Sequence, residues 1–157
     1  MGGMVMVGKV IAINISETKG VPKTSIPEAN MIADFGIEGD AHAGKWHRQV
    51  SLLANESVDK MRKQGFQGLC TGRFAENLTT EGIELWTIPV GSKVYIGQTL
   101  HEVTQIGKEC HFGCAIKKLV GECVMPKEGI FTKVIQGGIV KVGDEIRVMP
   151  LESEEQG

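Results

Sequence analysis

Glycine is the feature that most limits what this chain can fold into. The chain has 21 glycines among 157 residues, against 5 Phe, 2 Trp and 1 Tyr. Glycine weakens helices and permits tight turns, so this distribution predicts many short elements. The runs between the glycines are rich in β-branched residues, which favour strands. The pattern therefore predicts a mainly β (α+β) fold, a closed or partly open β-barrel with a few short helices.

The same patterns predict individual elements. A helix is expected from Asn55, which has N-cap chemistry, to Gly65, which suits a helix stop, and a helical segment is expected near Ala115–Val120. We expect one domain over residues 1–157, with its core at about 8–148 and a frayed acidic tail at 149–157. The predicted strands are Val5–Ile15, Ala29–Phe35, Arg48–Ala54, Lys93–Ile96, Thr99–Gln105, Phe131–Ile135 and strands within Ile139–Val148.

Charge and hydropathy exclude some functional classes. Lys and Arg together number 17 against 19 for Asp and Glu, a formal net charge of −2, which argues against a nucleic-acid partner. No run of about 18 apolar residues is present, so no membrane span is expected. The first ten residues, MGGMVMVGKV, lack the basic and apolar regions of a signal peptide, so we expect a cytoplasmic protein with reduced cysteines.

Three of the four cysteines lie between positions 107 and 131. Cys110 is preceded by Lys108 and Glu109 and followed by His111, and nearby cationic groups favour the thiolate, which is the nucleophilic and metal-binding form of cysteine. We interpret Cys110 as a reactive thiolate that carries sulfur or binds a soft metal. The alternative is that Cys110 is a buried small apolar residue.

A zinc site is a second interpretation of this segment. Cys110, Cys114 and Cys123, with His111 nearby, offer the soft ligands that suit zinc, although Cys110 and His111 are adjacent and no second C-x-x-C pair exists. Cys114 or Cys123 are also open to a role as a resolving cysteine. Cys70 stands apart, and we interpret it as structural.

A glycine-rich segment, GIEGDAHAG at 36–44, forms a second polar cluster. It contains Asp40 and His42, and Lys45, His47 and Arg48 follow it. Glycine turns with nearby cations suit phosphate or another oxyanion. An ordinary solvated loop is the alternative. Further along the chain, we interpret Arg73 as a candidate anion contact and Glu76 and Asn77 as structural residues.

Seven segments, taken in order, resemble a MOSC domain, the family named for the C-terminal domain of molybdenum-cofactor sulfurases. The likeness covers about Gly8 to Val148, and a cysteine after a VTQ-type strand is part of it. The resemblance implies a pyruvate-kinase β-barrel-like fold. The segments are GIEGDAHAG, RQVSLL, GRFAENLTTEGIEL, PVGSKVYIG, VTQIGKECH, GECVMPKEGIF and GGIVKVGDEIRV.

The resemblance also implies a molybdenum–pyranopterin cofactor, or sulfur destined for a metal centre. The family's cysteine corresponds to Cys110, which would carry a persulfide or ligate molybdenum, while Lys45, Arg48 and Arg73 would meet the pterin phosphate. The pyridoxal-phosphate desulfurase domain of the fused sulfurases does not fit within 157 residues, so a pyridoxal phosphate requirement would belong to that other domain. The N-terminal barrel of the amidoxime-reducing relatives is also missing from this sequence.

Our leading hypothesis is a cytoplasmic domain that binds molybdenum cofactor or transfers sulfur, with a sulfur donor or acceptor protein as its partner. Asp40 and His42 would shape the pocket, and Lys108 and His111 would favour the Cys110 thiolate. Two alternatives remain, a non-catalytic adaptor that delivers cofactor to a partner enzyme and a domain with structural zinc. An enzyme of this type would be a sulfurtransferase or a component of a molybdenum-dependent reductase of N-hydroxylated compounds.

Overall fold

A computed structural model describes residues 6–18, 23–57, 59, 76–107 and 129–149. Within these ranges the regular secondary structure is β-strand, apart from a short 3₁₀ turn at Leu85–Thr87 and the helical residues 55–57 and 59. The strands are β1 (Met6–Ile15), β2 (Thr24–Ile26), β3 (Glu28–Ile32), β4 (Gly36–Ile37), β5 (Val50–Ala54), β6 (Leu78–Glu81), β7 (Lys93–Ile96), β8 (Thr99–Ile106), β9 (Ile130–Gln136), β10 (Gly138–Lys141) and β11 (Glu145–Val148).

Seven of these strands close into a barrel, as the sequence predicts. The hydrogen-bonded order is β11-β7-β8-β9-β5-β6-β1, and β1 pairs back onto β11, with Met6 opposite Val148. All neighbours in this barrel are antiparallel except β5 and β6, which are parallel. Closure pairs every barrel strand on both sides and leaves no long open sheet edge. The mainly β barrel fold is thereby confirmed.

Two additions to the barrel bring distant residues together. β2 pairs with the last residues of β1, Ile13 opposite Ile26, and so brings the residues before β2 to this end of the barrel. β10, β3 and β4 form a separate three-stranded sheet beside the barrel. The loop from β4 to β5, residues 38–49, therefore runs from this small sheet back to the barrel.

The interior is built from the apolar faces of the strands. Alternation along β8 places Thr99, His101 and Val103 inside, as expected for a strand with one face toward the core. Within the described ranges, no helix is long and apolar enough to cross a membrane. The largest fully buried side chains are Ile13, Met31, Ile37, Leu52, Leu53, Leu78, Leu85, Ile88, Ile96, Ile130 and Ile146.

Most predicted strands are observed to within one or two residues, and one prediction is wrong. The strand expected over Ala29–Phe35 begins at Glu28 and ends at Ile32, because residues 33–35 form a turn with Asp34 at φ 54°. The helix expected at Asn55 is present where it is described, since residues 55–57 and 59 are helical. The predicted helical segment at Ala115–Val120 lies outside the described residues.

Candidate functional site

Asp40 and Lys23 form an ion pair buried at the end of the barrel. Asp40 Oδ1 lies 2.7 Å from Lys23 Nζ, and neither side chain is exposed to solvent. Lys23 is placed by β2, which it precedes, and Asp40 follows β4 through Gly39, whose φ of 89° favours glycine. The backbone N–H of Ser16, just after β1, donates to the same carboxylate oxygen at 3.1 Å. The pair therefore ties the 38–49 loop to the end of β1.

The electrostatics of Asp40 favour its ionised form. Burial raises the pKa of this carboxyl, but the hydrogen bond and charge of Lys23, together with the Ser16 N–H, outweigh burial and hold the pKa below 3.8. Asp40 is therefore a carboxylate at neutral pH, and its charge is matched by Lys23. This arrangement suits a support for the loop better than a proton donor.

His42 is oriented by the same pair. Its backbone N–H donates to Asp40 Oδ2 at 3.1 Å, and its ring Nδ1 lies 3.0 Å from Lys23 Nζ. An ammonium group can only donate, so Nδ1 accepts and a neutral ring carries its proton on Nε2. Lys23 thus sets the tautomer of a histidine whose side chain is 27% exposed.

Arg48 and His47 share one acceptor, the side-chain oxygen of Gln105. Arg48 Nε donates to this oxygen at 3.1 Å, and His47 Nε2 lies 2.9 Å from it. Gln105 Nε2 donates to the carbonyl of Gly107 at 2.7 Å, which defines the orientation of the amide. The Arg48 guanidinium also lies over the ring of Phe131, 5.2 Å from Cζ to the ring centroid.

A β-bulge explains how two consecutive residues of β8 reach this loop. The pairing of β8 with β9 shifts between Val103 and Gln105, so Thr104 is the extra residue. Side chains normally alternate across a strand, but a bulge redirects them. As a result, the Thr104 hydroxyl contacts the carbonyl of His47 while Gln105 contacts the adjacent ring and guanidinium.

The end of β8 also leads to the predicted thiolate. The backbone N–H of Gly107 donates to the carbonyl of Gly129 at 2.6 Å, so the two ends of the 108–128 segment meet here. The predicted site residues Lys108, Cys110 and His111 lie in that segment, outside the described residues, and Arg73 also lies outside them. Lys45 is exposed and makes no hydrogen bond or ion pair within the part of the chain that is described.

Sequence reasoning missed Lys23 and Gln105. Lys23 falls in a polar connection, and nothing local marks it, because its role depends on a carboxylate 17 residues away. Nothing local marks Gln105 either, because the β-bulge at Thr104 interrupts the alternation of β8 and redirects its side chain.

Asn77 and Glu76 form a buried polar network next to this cluster, which agrees with the structural role predicted for them. The Asn77 side chain accepts from the Ser51 N–H at 2.9 Å and donates to the Asn14 carbonyl at 3.1 Å. The Thr79 hydroxyl donates to Glu76 Oε2 at 2.7 Å. Asn77 thus links β5 and β1 through side-chain hydrogen bonds at the point where β6 begins.

Replacing Asn77 with alanine is expected to lower the free energy of unfolding by about 2 kcal/mol, because the buried N–H of Ser51 and the buried carbonyl of Asn14 lose their hydrogen-bond partner. Urea denaturation at pH 7 measures the change. The matched control is Asn30→Ala, which removes an exposed amide bonded to Glu38 and should change stability by less than about 0.5 kcal/mol. Equal effects of the two substitutions would contradict a structural role for Asn77.

The family model for the MOSC domain matches residues 39–147. The chain belongs to the MOSC domain family. The matched range contains every predicted site residue, whereas Lys23 lies before it. A search of curated proteins gave no match.

Solved structures show the same MOSC fold at low identity. The YuaD protein from Bacillus subtilis is 19% identical with a TM-score of 0.79, and the match covers 95% of this chain and 99% of that one. YiiM from Geobacillus stearothermophilus is 18% identical with a TM-score of 0.72, covering 94% of this chain and 77% of that one. YiiM from Escherichia coli is 20% identical with a TM-score of 0.63, covering 93% and 72%.

The described part of this MOSC domain offers two cationic side chains that suit an oxyanion. Within the described ranges, no group of three or more His, Cys, Asp or Glu residues is arranged to hold a metal ion. Arg48 offers a guanidinium with its Nε anchored, and Lys45 offers an exposed ammonium. Both groups suit phosphate oxygens.

A surface groove of about 410 Å³ on this MOSC domain lies at the other end of β1 from Asp40. It contains none of the predicted site residues and has an ion pair of Lys9 with Glu81 at 3.5 Å. The groove is therefore separate from the candidate site. The groove is lined by Val7, Gly8, Lys9, Glu81, Gly82, Gly143 and Glu145.

Proposed function

We propose that this MOSC domain binds a molybdenum–pyranopterin cofactor or carries sulfur for such a centre, with Cys110 as the persulfide carrier or the thiolate ligand of molybdenum. Family membership supports the link to molybdenum-cofactor sulfurase-like function. The proposal treats residues 1–157 as one domain that acts in the cytoplasm with a sulfur donor or acceptor protein.

One observation carries the proposal. Gln105 holds Arg48 and His47 at the strand end from which the chain continues through Gly107 toward Cys110. Cys110 follows Gly107 by three residues, so the covalent chain limits their separation to about 11 Å. The proposal therefore puts the candidate thiolate near the end of the barrel that carries the Arg48 guanidinium.

The roles of the other residues follow from their charge. Lys45, Arg48 and Arg73 would bind the pterin phosphate, since guanidinium and ammonium groups pair well with phosphate oxygens. Asp40 is already paired with Lys23, so Asp40 and His42 would shape the loop and Asp40 would add no net charge to the pocket. Lys108 and His111 would favour the thiolate form of Cys110. When bound, the cofactor would supply a redox-active metal centre.

Replacement of Cys110 tests the proposal directly. The Cys110→Ala variant is expected to lose retention of molybdenum cofactor, or loading of a persulfide, while its circular dichroism and unfolding midpoint match the unmodified protein. Molybdenum and zinc are measured in each protein as isolated and after incubation with cofactor and gel filtration, and persulfide is measured by alkylation and mass spectrometry. Cys70→Ala is the matched control and should retain both properties.

Each result separates the hypotheses. If Cys110→Ala retains both cofactor and persulfide, Cys110 is not the centre. About one zinc per chain, with loss of the fold on chelation, would replace the proposal with a structural zinc site. Turnover of an N-hydroxylated substrate with an electron donor would reject the adaptor role in favour of a reductase.

A further inference from the structure

We infer that Gln105 is a positioning residue that holds the Arg48 guanidinium for an anionic ligand while leaving its charge uncompensated. The inference rests on the proposed function insofar as Arg48 is taken as the phosphate contact. Gln105 lies in β8 and not in the 38–49 loop that carries Arg48. Its side chain is an uncharged amide, and the inference explains why.

In the described part of the chain, the Arg48 guanidinium is hydrogen-bonded only through its Nε. A guanidinium has five N–H donors, and the bond to Gln105 uses the one on Nε. No other hydrogen bond of this guanidinium is made to the residues that the structure describes. With Nε anchored, the terminal N–H groups form a fork of defined direction, which matches two oxygens of a phosphate.

The anchor comes from a rigid part of the fold. Gln105 and Phe131 are cross-strand partners in β8 and β9, and Arg48 contacts both of them. The amide of Gln105 is itself fixed by its bond to the Gly107 carbonyl at 2.7 Å. The guanidinium is thus ordered before a ligand arrives, which reduces the entropy lost on binding.

The neutrality of the anchor is the second part of the inference. A glutamate at 105 would accept the same two hydrogen bonds but would add a negative charge beside Arg48 and His47. Among the described residues, no Asp or Glu lies within ion-pair distance of Arg48. The amide therefore orients the arginine and preserves its attraction for an oxyanion such as a phosphate group.

The test uses Gln105→Glu and Gln105→Met, with inorganic phosphate as the probe. Affinity is measured by titration at low ionic strength, and the Arg48 Nε–H signal is followed by ¹⁵N NMR. Gln105→Glu is expected to weaken phosphate binding about tenfold while keeping a protected Nε–H signal. Gln105→Met should weaken binding by a smaller factor and lose that protection. Gln98→Glu, at the other end of β8, is the matched control and should bind as the unmodified protein does.

The outcomes are decisive and independent of Cys110. Equal phosphate affinity in Gln105→Glu and the unmodified protein would overturn the inference. So would an unmodified protein that binds phosphate no better than Arg48→Ala. Should Gln105→Glu weaken phosphate while Cys110→Ala retains cofactor and persulfide, the anion site stands and the proposed function fails.

Discussion

Replacing Lys23 with methionine is expected to lower the free energy of unfolding by about 3–5 kcal/mol, because it leaves a buried carboxylate without its counter-charge. The Asp40 side chain is fully buried and receives one of its hydrogen bonds from Lys23 at 2.7 Å. The ammonium also bonds the Ser16 hydroxyl at 3.1 Å and His42 Nδ1 at 3.0 Å. Methionine fills a similar volume but satisfies none of these three groups.

Chemical denaturation at pH 7 measures this loss, and two variants define its cause. Lys93→Met removes a lysine that pairs with Glu102 at 4.0 Å while 47% exposed, so its effect should stay below about 1 kcal/mol. The double variant Lys23→Met with Asp40→Asn removes both buried charges and should recover part of the loss. A Lys23→Met protein as stable as the Lys93→Met protein would contradict the buried ion pair.

The pH dependence gives a second test of the same pair. In the unmodified protein the pKa of Asp40 is lowered, so its contribution to stability is present above pH 3.8 and is lost as the pH falls through the folded-state pKa. In Lys23→Met, the hydrogen bond and the charge that lower the pKa of Asp40 are gone, while burial still raises it. We therefore expect the pKa of Asp40 to rise above 3.8. The stability difference between the two proteins should then shrink as the pH is lowered.

His101 is expected to make the protein less stable in mild acid, by about 3 kcal/mol between pH 6.5 and pH 4. Its ring is buried between two hydroxyl groups, with Nε2 2.9 Å from Thr99 Oγ1 and Nδ1 3.1 Å from Thr132 Oγ1. The Thr99 hydroxyl donates to the Ile96 carbonyl, so it accepts from Nε2–H, and Thr132 donates to Nδ1. A neutral ring is fully satisfied, and burial lowers its pKa from 6.5 to about 3.

The sign follows from proton uptake. Below pH 6.5 His101 is protonated in the unfolded chain, but in the folded chain it stays neutral down to about pH 3. The free energy of unfolding therefore falls as the pH is lowered from 6.5 toward 3. Unfolding midpoints at pH 7, 6, 5 and 4 measure the slope. His101→Gln should flatten this slope. Parallel curves for the unmodified and His101→Gln proteins would contradict the prediction.

The strands of the barrel were largely predictable, because the sequence signals that favour a strand lie within the strand itself. Short β-branched runs bounded by glycine correspond to β7, β8 and β9, and the apolar runs of β1 and β5 are also local signals, since strand propensity and alternation act over a few residues. The strand pairing was not predictable, because closure depends on β1 meeting β11, which is about 140 residues away in the chain. The bulge at Thr104 was also invisible, since it arises from register between two strands.

The candidate site was likewise predictable only in part. The polar loop with Asp40, His42 and Arg48 stands out in the sequence, because cations and glycines are concentrated there. Their partners do not stand out. Lys23 and Gln105 acquire their roles from contacts across 17 and 57 residues, and each looks like an ordinary polar residue in its own segment.

The sequence by itself determined the family, the mainly β class and the loop in which the described site residues lie, because residue type and short-range pattern carry that information. The tertiary structure alone decided which groups are charged, paired and oriented. It buried Asp40 against Lys23, gave His42 a defined tautomer, and attached Arg48 to the strand that leads toward Cys110. The physical reason is that electrostatic and hydrogen-bond energies depend on distance in space, which separation along the chain does not specify.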